Sequence, residues 1–124
     1  MSRLVRRWGP AVAWAALIFA LSAQPSPPGP SMSPLDKVAH FVEFAVLAAL
    51  VARALTGSGV RPTRALAAAI ALSTLYGASD ELHQRYVPGR DVSVFDLAAD
   101  AVGACAGACA WYALWSRSAR GDRR

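Results

Sequence analysis

The chain has 124 residues, 55% of them hydrophobic and 17% charged, with a mean hydropathy of +0.32. A soluble domain of this length can bury one core but not four long apolar runs, so an aqueous globular fold is excluded. The net charge of +5 argues against nucleic-acid binding once its distribution is followed along the chain.

The apolar runs cover residues 8–23, 38–55, 65–79 and 94–115. With their polar flanks they predict helices at about 8–24, 34–55, 63–85 and 94–115, each near the ~20 residues that a bilayer requires. The reading is an all-α, integral membrane four-helix bundle occupying residues 1–124 as one domain. With the N-terminus in the cytoplasm, Arg3, Arg6, Arg7, Arg53, Arg61, Arg64, Arg117, Arg120, Arg123 and Arg124 all fall inside, against Lys37, Arg85 and Arg90 outside. This ten-to-three bias predicts a multi-pass protein of the cell membrane with both termini cytoplasmic. Of the eight acids only Asp122 lies inside, so the net charge records topology.

The basic start, the first apolar run and Leu21-Ser22-Ala23 also fit a cleavable signal peptide. An uncleaved first helix is the simpler reading. Residues 24–34 hold five prolines and predict an extended connection. It ends in Ser33-Pro34-Leu35-Asp36, a helix start with serine at the N-cap, proline at N1 and an acid at N3. Asp36, His40 and Glu43 then share one face of the second helix within about 60° of arc. Asp36 and Lys37 read as an interfacial pair. Glu43, roughly 10 Å deeper, is harder to explain that way.

In the third helix Ser73, Gly77, Asp80 and Gln84 form a stripe at i, i+4, i+7, i+11, with Glu81 and His83 flanking it. A polar seam of this kind faces other helices and not lipid. Pro88-Gly89 suits a type II turn that aims Arg90 back at the helix ends, where its guanidinium can pair with Asp96 or a neighbouring carboxylate. Ser93-Val94-Phe95-Asp96 repeats the serine cap with an acid at N3. Asp96, Asp100, Gly103 and Gly107 share a face, and the two glycines admit a close neighbouring helix. Cys105 and Cys109 lie on the opposite side and read as small packing residues. Trp8, Trp111, Tyr112 and Trp115 read as a cytoplasmic aromatic belt.

Two blocks carry a resemblance. Asp36-Lys37-Val38-Ala39-His40-Phe41-Val42-Glu43-Phe44 is similar to a D-K-x-x-H-F-x-x-[YF] segment of the VanZ-like family. Tyr76-Gly77, Asp80-Glu81, His83-Gln84, Tyr86-Val87-Pro88-Gly89-Arg90, Ser93, Asp96, Asp100 and Gly103 resemble its second block. Departures are Asp100, where many members carry Asn, and the Asp80/His83 variant around the glutamate. The resemblance implies a small four-helix membrane protein of the cell envelope. It also implies a role like that of the family's namesake, which lowers susceptibility to the glycopeptide antibiotic teicoplanin.

The residues themselves leave several functions open. One is an enzyme or envelope-modifying factor, with His40, Glu43, Glu81, His83, Asp96 and Asp100 as acid-base candidates and Lys37, Gln84 and Arg90 contacting the substrate. Its partner would be a membrane lipid or an amphipathic envelope ligand. The same nitrogen and oxygen donors could hold a divalent metal, although Glu81 and His83 point about 160° apart on a helix. The sequence leaves cofactor and metal dependence open. The remaining alternatives are a non-catalytic binding or sensor module and a purely structural network of salt bridges.

Overall fold

The computed structural model describes residues 1–25 and 34–122. Most of the proline-rich connection, and the Ser33 cap with it, lies outside the described residues. The described residues form four helices: α1 (Arg3–Ser22), α2 (Pro34–Gly57), α3 (Pro62–Gln84) and α4 (Val94–Gly121). Two of these extend past the apolar runs that predict them. Ser2 caps α1 by accepting from the Val5 N–H at 3.3 Å, so the basic start is already helical. At the other end, α4 continues through polar Ser116–Gly121, where Arg117, Ala119 and Arg120 are good helix formers, beyond the hydrocarbon-like run.

The helices alternate in direction. Arg7 of α1, Arg53 and Gly57 of α2, and Trp111 and Trp115 of α4 line one recess at one end. Leu21 and Ser22, Asp36 and His40, Gln84 and Arg90 meet at the other end. Arg7 and Arg53 therefore lie at one end of the bundle, and Asp36, Glu43 and Asp80 at the other with Arg90 beside them.

Three helices, α1, α2 and α4, are long and apolar enough to cross a membrane. α3 matches them in length, roughly 35 Å, but its apolar run is diluted by the stripe that the sequence marks out. Ser73, Gly77, Asp80 and Gln84 are all buried, as are Ala65, Ala69 and Glu81, so α3 hides its polar face against its neighbours. The outside of the bundle is apolar, with Leu72, Leu75, Val102 and Leu114 all exposed. That is the surface a hydrocarbon solvent requires.

The core runs along α2, whose Phe44, Leu47, Ala48 and Val51 pack on Ala104 and Ala108 of α4, Ala69 of α3, and Ala11 and Ile18 of α1. The α2–α4 seam is the tightest contact. A Cβ added at Gly103 or Gly107 would run into the backbone carbonyls of Phe41 and Ala45. The glycine pair thus brings two backbones together and, one and two turns above, brings Asp96 and Asp100 against α2. Polar ties add to the apolar packing of α1. The Trp14 indole N–H donates to the Glu43 carbonyl at 2.8 Å, and the Tyr76 hydroxyl to the Ala15 carbonyl at 2.6 Å.

Cys105 and Cys109 are both free and exposed. They do not pack between helices of this chain, because the glycine face of α4 takes the interface and turns them outward. Trp8 and Trp111 are half-buried and pack against the core, which gives them more than an anchoring role.

Candidate functional site

The site grows from the acid-rich end, where the starts of α2 and α4 meet the end of α3. His40, nearly two turns into α2, is 5% exposed, and its Nδ1 lies 2.8 Å from Asp100 Oδ1 on α4. In this bond the imidazole N–H donates and the carboxylate accepts. Its Nε2 faces Asp96 Oδ2 at 3.9 Å. Asp96 is also ion-paired with Lys37, whose ammonium lies 3.8 Å from Asp36. Every ion pair across this seam joins α2 to α4, which is what the close glycine contact allows.

The end of α3 contributes Glu81, 3% exposed. Its Oε2 accepts the backbone N–H of Ser93 at 3.0 Å. Ser93 Oγ in turn accepts from the Asp96 N–H at 3.2 Å, as the serine cap predicts. The returning arm of the capping box would ordinarily come from the N3 acid. Here Glu81 supplies it from another helix, and Asp96 is left to serve Lys37 and His40. Glu81 Oε1 and Asp100 Oδ2 are buried without a partner among the described residues.

On the other side of His40 a polar cavity of about 80 Å³ is lined by Ser22, Asp36, His40, Glu43, Asp80 and Gln84, with Leu21 and Arg90 at its edge. It has room for a few ordered waters or one small polar group. Asp80 is 4% exposed and its Oδ1 has no partner among the described residues. Gln84 donates to Ser22 Oγ at 2.9 Å, closing the α1 side.

The type II turn forms as the sequence predicts, with Gly89 at φ 75° and the Arg90 N–H donating to the Val87 carbonyl at 3.1 Å. Its consequence for Arg90 differs from the expected pairing with Asp96. The guanidinium turns toward α1, donating from Nε to the Gln24 carbonyl at 3.2 Å and from Nη2 to the Leu21 carbonyl at 3.5 Å. A cation at a helix C-terminus answers the unsatisfied carbonyls there.

His40, Glu81, Asp96 and Asp100 come together, with Lys37 against Asp96. Glu43, Gln84 and Arg90 border the cavity. His83 does not join them. Its ring stacks on Phe19 of α1, with centroids 4.6 Å apart and planes 17° from parallel. The 200° turn between Glu81 and His83 makes this unavoidable. Ser22 and Asp80 line the cavity without having been among the sequence candidates. Asp80 was legible as part of the α3 stripe, whereas nothing in the α1 sequence marks Ser22.

These features define a small all-α membrane bundle with a buried acid-histidine cluster at one end. The VanZ/LLP1 family model matches residues 4–116, and the chain belongs to that family. No curated protein and no solved structure gives a significant match.

Proposed function

We propose that this VanZ/LLP1 protein acts at the outer face of the cell membrane on the polar head of an amphipathic envelope component. In this reading the His40–Asp100 pair moves a proton, with Asp100 orienting the imidazole. Glu43 and Asp80 line the space beside it, and Arg90 meets the anionic part of the head group at the rim. The observation that supports this reading most is the cavity itself, in which His40, Glu43 and Asp80 border space for a small polar group next to an arginine. The ten-to-three distribution of basic residues supports an outward-facing acid-rich end.

Expressing the chain in a teicoplanin-susceptible host tests the proposal. The wild type is expected to raise the inhibitory concentration of teicoplanin. His40→Gln should abolish that rise while the detergent-solubilised variant keeps its melting temperature. A wild type without effect, or a folded His40→Gln chain with the full rise, would overturn the reading.

A further inference from the structure

We propose that His40, Glu81 and Asp100 hold one divalent first-row transition ion, Mn²⁺ or Zn²⁺. Each offers one ligand atom, and the three atoms lie within 4.8 Å of one another. Donors around an ion bound at about 2.0–2.2 Å lie roughly 3–3.5 Å apart, so side-chain shifts on the order of 1–2 Å would close the cluster on one. The three residues come from α2, α3 and α4 and are 5%, 3% and 0% exposed, so the helix packing itself fixes the cluster.

The unpartnered oxygens carry the argument further. Glu81 is held through Oε2 by the Ser93 N–H and Asp100 through Oδ1 by His40. Their other oxygens, Oε1 and Oδ2, are buried with no partner among the described residues. A buried carboxylate oxygen left without a donor or cation is costly. The nearby basic residues do not supply one: Lys37 pairs with Asp96 and Asp36, and Arg90 donates to two carbonyls of the α1 end. A divalent ion would complete both oxygens and balance both charges.

A second trio, Asp36, His40 and Asp96, is equally close-set. It already contains the Lys37 ammonium, which repels a metal ion. Donor chemistry narrows the occupant, because one imidazole with two carboxylates suits Mn²⁺ or Zn²⁺ better than Mg²⁺ or Ca²⁺. Three protein ligands leave coordination positions open for water or a ligand oxygen. The inference rests on the site of the proposed function but gives His40 another part there. A ring nitrogen that ligates the ion gives up its bond to Asp100, and Glu43 or Asp80 beside the cavity would then move the proton. Its test reads the ion directly.

Full-length protein in nanodiscs, stripped with a chelator, is titrated with Mn²⁺ and followed by electron paramagnetic resonance and elemental analysis. The expected result is one ion per chain, displaced by Zn²⁺, with spin-echo modulation from a directly bonded nitrogen in the wild type. That modulation should persist in His83→Ala and vanish in His40→Ala. Glu81→Gln and Asp100→Asn should each weaken binding at least about tenfold, and Asp36→Asn should leave it unchanged. Absence of stoichiometric binding or of nitrogen modulation in the wild type overturns the site without calling on any variant. So does binding that survives Glu81→Gln and Asp100→Asn, or that disappears with Asp36→Asn. An ion without a teicoplanin effect would sink only the proposed function, and the effect without an ion only the metal site.

Discussion

Glu81 of α3 caps the first turn of α4 through the Ser93 N–H, 3.0 Å away. One carboxylate oxygen therefore does a structural task while the other is free to face the site. The two tasks can be separated by substitution. Glutamine keeps a carbonyl oxygen for the Ser93 N–H but loses the charge. Glu81→Gln should change stability by less than about 1 kcal/mol, whereas Glu81→Ala, which strands that donor, should cost about 1–3 kcal/mol. Unfolding in mixed micelles measures both. If Glu81→Gln also abolishes the susceptibility phenotype, a purely structural salt-bridge network is excluded. Equal losses of stability in the two variants would show that the charge itself holds the bundle together.

The α2–α4 seam leaves no space at Gly107, where an added Cβ meets the Ala45 carbonyl. Gly107→Ala is expected to push the helices apart at a cost of about 1–3 kcal/mol and to weaken the Lys37–Asp96 and His40–Asp100 contacts. Gly9→Ala serves as the comparison, because its added Cβ would meet only Val5 Cγ1 at 3.8 Å. Equal micellar unfolding free energies for the two variants would contradict the close approach.

Arg90 joins two carbonyls at the end of α1 through Nε and Nη2. An ammonium keeps the charge but cannot reproduce that fork. Arg90→Lys is therefore expected to impair the proposed effect on teicoplanin susceptibility nearly as much as Arg90→Ala. Full function in Arg90→Lys would reduce its role to charge alone, and full function in Arg90→Ala would remove it from the site.

A reporter fused after Arg124 is expected to be active when it requires the cytoplasm and silent when it requires the outside, given the distribution of basic residues. The reverse pattern would invert the bundle and put the acid-histidine cluster on the cytoplasmic side.

What the sequence revealed and what it concealed follow from how far each interaction reaches. The helices were legible because apolarity accumulates over twenty residues, and the buried stripe of α3 because its polar positions recur at helical spacing. His40, Asp96 and Asp100 were legible as faces of their own helices. The partner of each was not, since the 60 residues between His40 and Asp100 leave no local trace of their pairing. His83 was a candidate by residue type alone; it lies about 160° round the helix from Glu81, and its ring meets Phe19 instead. Arg90 was mistaken for a carboxylate partner because seven acids crowd that side. The helix end that actually receives it offers bare carbonyls, which no side-chain pattern announces.

The buried polar stripe of α3 also bears on how the protein is made. α1, α2 and α4 are apolar enough to enter a bilayer on their own account, but α3 is not among those spans. Its Asp80, Glu81 and Gln84 are covered by the helices around it, and α4, the last to be synthesised, packs against this face. Stable integration of the third helix is therefore expected to be completed only once the fourth has emerged from the ribosome. A nascent chain ending at Val92 should leave α3 extractable by alkaline carbonate or reachable by protease, and extension through Gly121 should make it resistant. Early, stable insertion of the truncated chain would show that α3 partitions into lipid unaided.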